Sequence, residues 1–107
     1  MGEVCEFDWG EVKITVGGQN HTLQLAVFTS AKGNYRYAQL FYNQKTESFL
    51  ESHALFFEHI KGAYHLMVYD NTRVVVKKFV GPSEKEPTEA LLKLSLYYGF
   101  NYRFCNA

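Results

Sequence analysis

A chain of 107 residues is long enough for one domain with a hydrophobic core and too short for two. Apolar residues make up 47% and aromatic residues 17%, with nine Phe and eight Tyr, which excludes a disordered chain and points to a core built of rings. Eleven Lys and Arg balance eleven Asp and Glu, so no overall field draws the chain onto nucleic acid, and any such contact must come from a local patch.

The first predicted strand starts at Val4-Cys5-Glu6-Phe7-Asp8-Trp9-Gly10 and continues as Val12, Ile14 and Val16 alternating with Lys13 and Thr15, the period-two signal of a strand with one wet face. Asp8 is set between Phe7 and Trp9, and a carboxylate in an apolar strand is costly unless it is paired or bound to a cation. Gly17-Gly18 supplies a tight hairpin turn, followed by Gln19 and Asn20 as polar loop residues. A second strand runs from Thr22 to Phe28; its second half is apolar on both faces, which marks it as central. Lys32-Gly33-Asn34 turns the chain into a third, aromatic-rich strand from Tyr35 to Tyr42, completing an antiparallel meander.

Thr46 is the expected N-cap of a first helix, with Glu47 where the helix dipole favours an acid. Phe49, Leu50, His53, Phe56, Phe57 and Ile60 recur at helical spacing, and Lys61-Gly62 is the stop. His53, on that apolar stripe, is expected to be a hydrogen-bonded packing residue. The next strand, Tyr64 to Tyr69, ends in Asp70-Asn71, and a helix between two strands implies a crossover to a parallel pairing. Laid beside the first strand, it would bring Asp8 and Asp70 together. The segment Thr72 to Pro82 fits an edge strand or an extended flap, and Ser83 to Pro87 a polar loop. Thr88 caps a second helix closed by Gly99, and Phe100 to Phe104 alternates as a final strand. There is no internal repeat.

Cys5 and Cys105 lack zinc-type spacing and read as reduced residues in strands. No apolar run approaches the ~20 residues of a membrane span and no signal region opens the chain, so a cytoplasmic protein without a membrane partner is expected. The end at Asn106-Ala107, just after a strand-like stretch, reads as the edge of a piece cut from a longer protein.

Phe7-Asp8-Trp9-Gly10-Glu11, Tyr35-Arg36-Tyr37-Ala38, Val68-Tyr69-Asp70-Asn71, and Tyr98-Gly99-Phe100 followed by Arg103-Phe104-Cys105 occur in an order and on elements that together resemble the catalytic core of insertion-sequence transposases, of the two-gene type whose second gene encodes a helper ATPase. The resemblance covers nearly the whole chain. It implies a ribonuclease-H-like α/β fold: a mixed five-stranded sheet, three strands as an antiparallel meander and two parallel, with helices packed on it. It also implies a DDE mechanism, in which three carboxylates hold Mg²⁺ or Mn²⁺ for cleavage and strand transfer of DNA. Asp8 and Asp70 match the first two carboxylates, as catalytic and metal-binding residues. The third, a Glu on a helix beyond the last strand, has no counterpart before Ala107; Glu84, Glu86 and Glu89 precede that strand and do not match. A truncated catalytic core, inert by itself, is therefore expected. Its implied setting is a bacterial cell, with transposon-end and target DNA, the helper ATPase and a homodimer or higher oligomer as partners.

Two carboxylates at that spacing suit a hard divalent cation, and without one they repel, raising one pKa. Asn71 is placed to orient Asp70 by a hydrogen bond. Arg73, Lys77 and Lys78 follow as candidate phosphate contacts, or else as solvated charges that protect an edge strand. Trp9 reads as packing rather than base stacking. Two other readings remain open at this point: a nuclease or resolvase of the same fold, for which only Glu6 and Glu11 lie near Asp8, and a non-catalytic interaction or dimerisation domain.

Overall fold

A computed structural model of the chain describes residues 3–31, 35–70, 76–79 and 85–105, with the backbone alone for 76–79 and 85–87. In chain order the elements are β1 (Val4–Val16), β2 (Gln19–Ser30), β3 (Arg36–Phe41), α1 (Thr46–Ile60), β4 (Leu66–Asp70), β5 (Val76–Phe79), β6 (Lys85–Pro87), α2 (Glu89–Tyr98) and β7 (Asn101–Cys105). Five strands form one mixed sheet in the order β3-β2-β1-β4-β7, and β5 and β6 form a separate two-stranded ribbon. Within the sheet β3, β2 and β1 pair antiparallel as a meander, whereas β4 runs parallel to β1 and β7 parallel to β4. The expected α/β architecture of meander plus two parallel strands is therefore the observed one.

The meander turns at Gly17 and Gly18, with φ of 58° and 81°. Two successive positive φ values suit the primed turn whose twist matches that of the flanking strands, and only glycine takes both without strain. The turn is so tight that Gln19 and Asn20, expected as loop residues, already belong to β2, paired with Val16 and Thr15. β1 and β2 outrun their neighbours: β3 reaches only as far as Gln24 and β4 only as far as Phe7. Their far ends form a bare ribbon on which Ile14 and Val16 are exposed, so the apolar side expected to be covered there is wet too.

α1 starts at Thr46, one residue past its cap. Lys45 occupies that position without a side-chain cap bond. The Asn43 Oδ1 does the local work instead, accepting from the Lys45 N–H and the Ser48 hydroxyl, both at 2.9 Å. Thr88 caps α2 as expected, its Oγ1 accepting from the Leu91 N–H, and Gly99 closes that helix at φ 75°. The 72–82 segment joins the main sheet nowhere among its described residues. Its Val76–Phe79 part pairs instead with Lys85–Pro87, which corrects the expected polar loop to a strand.

Strand alternation decides where the core lies. Cys5 and Phe7 of β1, Ala26 and Phe28 of β2, and Met67 and Tyr69 of β4 point to one face and are buried, together with Phe49, Phe56 and Phe57 of α1 and Leu91 and Leu94 of α2. Both helices thus cover the same face. Phe28 stacks on Phe56 with centroids 4.2 Å apart, and Phe7 meets Phe49 edge-on at 5.4 Å. His53 sits fully buried among these rings. Its Nδ1 lies 2.9 Å from the Phe49 carbonyl oxygen and its Nε2 2.9 Å from the Tyr69 hydroxyl. A neutral imidazole satisfies both contacts, Nδ1–H donating to the carbonyl and Nε2 accepting from Tyr69. His53 is the hydrogen-bonded packing residue its spacing suggested.

Burial pushes the His53 pKa down from 6.5 to about 3, with only partial relief from the Phe49 carbonyl. Between those two pH values the unfolded chain binds a proton that the folded chain refuses, so stability rises with pH across the window. The unfolding free energy measured in urea should therefore gain a slope of up to about 1.4 kcal/mol per pH unit between pH 4 and 6, a slope that His53→Gln removes.

Candidate metal centre and its groove

The parallel register of β1 and β4 runs Val4 with Leu66, Cys5 with Met67, Glu6 with Val68 and Phe7 with Tyr69. One step further along each strand come Asp8 and Asp70. Buried Phe7 and Tyr69 anchor the step before, so both acids emerge where the β1–β4 pairing ends, Asp70 at the carboxyl end of β4 and Asp8 part-way along β1, whose remainder pairs on with β2. They project on the face opposite the helices. Asp8 is exposed and Asp70 half-buried.

That face holds a groove of about 270 Å³. Glu6, Asp8, Val27, Thr29, Arg36, Asp70 and Cys105 are among the residues lining it. Partial burial raises the Asp8 pKa from its usual value, and the charge of Asp70 raises it further, against a backbone hydrogen bond from Trp9 that lowers it. A carboxylate held beside a second one at some cost is the condition that a bound cation relieves. The donor set is hard oxygen only, which fits Mg²⁺: that ion commonly takes one or two protein carboxylates and completes its shell with water and phosphate. Among the described residues no group of three His, Cys, Asp or Glu side chains gathers for a metal, so Glu6, though it lines the groove, does not extend the pair to a triad.

Of the other residues singled out in the sequence, Asn71 and Arg73 lie outside the described residues. Lys77 and Lys78 fall in β5, described in backbone alone. Trp9 packs edge-on against Phe7 and Phe41 on the helix side, in keeping with a packing role. Its buried indole N–H has no acceptor among the described residues. Cys5 and Cys105 are free thiols in β1 and β7; burial pushes Cys5 up to about 12, which leaves it an inert thiol. Arg36 and Thr29 were missed as groove residues. The period-two pattern carried the signal, because Thr29 lies opposite both Glu6 and Arg36 once the meander register is set.

No family model matches the chain. A transposase of Aminobacter aminovorans is 25% identical over 105 residues, which is 98% of this chain but 21% of that protein, so the chain spans about a fifth of the relative's length. Among solved structures, the HTLV-2 integrase catalytic core domain in complex with magnesium superposes with a TM-score of 0.70 over 97% of this chain and 60% of that one, at 7% identity. The simian T-cell lymphotropic virus intasome, in complex with a PP2A regulatory subunit, gives 0.67 over 97% of this chain and 34% of that one at 9% identity. The BIV integrase catalytic core gives 0.65 over 98% and 55% at 8% identity. The fold is that of an integrase catalytic core. Among the described residues no helix is long and apolar enough to cross a membrane.

Replacing Asp8 by Asn removes the like-charge contact and its desolvation. Because the Asp8 pKa is raised in the fold, its ionised form costs stability above that pKa and nothing below the unfolded value. Asp8→Asn should therefore stabilise the chain at pH 7 by no more than about 1 kcal/mol, given how exposed the group is, and the gain should vanish in acid. Urea unfolding at pH 7 and pH 3 checks both halves.

Proposed function

We propose that this chain is the catalytic core of a DNA transposase that cleaves and joins DNA strands by metal-dependent phosphoryl transfer. The observation that supports it most is the adjacency of Asp8 and Asp70 just past the end of the β1–β4 parallel pairing, in an open groove on an integrase-core fold. Two further findings agree: the relative matched over nearly the whole chain is a transposase, and one integrase core of the same fold carries magnesium.

In such a reaction an oxygen nucleophile, water for cleavage and a 3′ hydroxyl for joining, forms a new P–O bond in line with the 3′ oxygen that leaves. When bound, divalent metal ions activate the nucleophile and neutralise the leaving oxygen. The chain's own residues have three tasks. Asp8 and Asp70 would hold the cation as hard ligands, with β1 and β4 fixing their separation. The Phe7 and Tyr69 anchors behind them keep the two strands from splaying at the acids, so the carboxylates are preorganised for an ion. The groove gives the phosphodiester access to the acids on the sheet face opposite the helices.

Asn71 belongs to the same proposal as a hydrogen-bonding support for Asp70, and Arg73, Lys77 and Lys78 as contacts to DNA phosphates. A carboxylate outside this chain's described residues would complete the ligand set, in line with a core that is one domain of a longer protein and is inert by itself. Assembly as a dimer or higher oligomer, service by a helper ATPase and a cytoplasmic site of action complete the proposal.

The test is a transposition assay on the gene that encodes this chain. Asp8→Asn and Asp70→Asn should each lower the frequency by at least roughly a thousandfold, since each removes a ligand charge that the transition state needs. Transposition surviving either change would leave the fold with a non-catalytic role.

A further inference from the structure

The open sheet face carries more than the acid pair. Strand pairing sets a second row directly behind it: Arg36 on β3 faces Thr29 on β2, Thr29 faces Glu6 on β1, and Glu6 faces Val68 on β4. Asp8 stands one row ahead, opposite Val27, which in turn faces Ala38. All of these side chains share the groove side, because paired residues point to the same face of a sheet. Arg36 lies two strand spacings, about 10 Å across the sheet, from the strand that bears Asp8. It lines the same groove, is exposed, and among the described residues makes no ion pair within 4 Å.

The groove therefore has a division of charge along its length. Asp8 and Asp70, with Glu6 behind them, make one end of the groove's lining negative, while Arg103 on β7 stands outside the lining in the same row as Glu6, beside Val68. Arg36 gives the other end a permanent positive charge with five donors in a planar fork, a shape that takes two phosphate oxygens at once. The Thr29 hydroxyl lies between the two ends as a smaller donor. A ligand suited to both ends has a phosphate to share with a cation at the acids and a second phosphate set off from the first by a covalent link. A polynucleotide backbone has that repeat; a lone phosphate does not.

We propose that Arg36, assisted by Thr29, binds the DNA phosphate neighbouring the one at the acid pair, and so fixes which phosphodiester enters the site. The proposal rests on the functional reading of the groove given above. Phosphate contacts of this kind set register rather than read sequence, so Arg36 should act equally on all sequences. It is a contact on β3, a strand of the main sheet, independent of the basic residues that follow Asp70.

The test is titration of a short fluorescein-labelled DNA duplex with this chain in Mg²⁺, read by anisotropy over a series of salt concentrations. Each phosphate neutralised adds close to one unit to the slope of log K against log salt. Arg36→Gln should weaken binding roughly three- to tenfold and lower that slope by about one. Arg36→Lys should restore the slope, because the charge releases the counterion, while regaining only part of the affinity. Lys93→Gln, the same charge change on the exposed side of α2, should alter neither. An unchanged slope in Arg36→Gln, an equal loss in Lys93→Gln, or no binding by the unaltered chain would each overturn the proposal. Failure of the functional reading shows separately: transposition that survives Asp8→Asn removes catalysis from the acid pair, while the Arg36 contact is still read by the salt slope.

Discussion

Everything of interest on this chain depends on the parallel pairing of β1 with β4. Four residue pairs, from Val4–Leu66 to Phe7–Tyr69, hold the two strands in a register that leaves Asp8 and Asp70 side by side one residue on. A slip of one residue would turn one acid toward the helices and bury its charge among Phe49, Phe56 and Phe57. That alternative is costly, because an unpaired carboxylate in an aromatic core has nothing to offset its lost hydration. The aromatic core thus fixes the register, and the register brings the two acids together.

The ring network makes this fixation strong. Phe7 touches Trp9, Phe28, Phe49, His53 and Tyr69, so the residue immediately before Asp8 is held from both the sheet and α1. Tyr69, immediately before Asp70, is held by the His53 hydrogen bond. Burial of a neutral His and a Tyr whose pKa is raised well above its usual value keeps this support uncharged at any physiological pH. The division is between a dry, charge-free face that carries stability and a wet face that carries the acids, Arg36 and Thr29.

Much of this was legible in the sequence because two periods rarely compete here. The period-two runs gave the meander, the helical stripe of α1 gave the covered face, and the crossover rule gave the parallel return that joins Asp8 to Asp70. Helix ends were less legible. Thr46 has the chemistry of a cap, but Asn43 draws the chain into the helix a residue earlier by accepting two bonds at once. Lys85–Pro87 looked like a loop because strand signals need length and apolar alternation, and a three-residue strand paired only with β5 has neither. Arg36 went unremarked as a groove residue because its place depends on a register two strands away from the acids, which a linear pattern does not carry.

Likeness to integrase cores in fold, at 7 to 9% identity, says nothing by itself about chemistry; the weight rests on the two carboxylates and on whether they act as one cation site. The most direct measurement is a titration of the isotope-labelled chain with Mn²⁺, followed residue by residue in amide NMR spectra. Selective broadening of amides around Asp8, Gly10, Asp70 and Cys105, abolished by Asp8→Asn, is the expected result. Broadening centred elsewhere, or broadening around the two acids that persists in Asp8→Asn, would show that they do not act as one cation site.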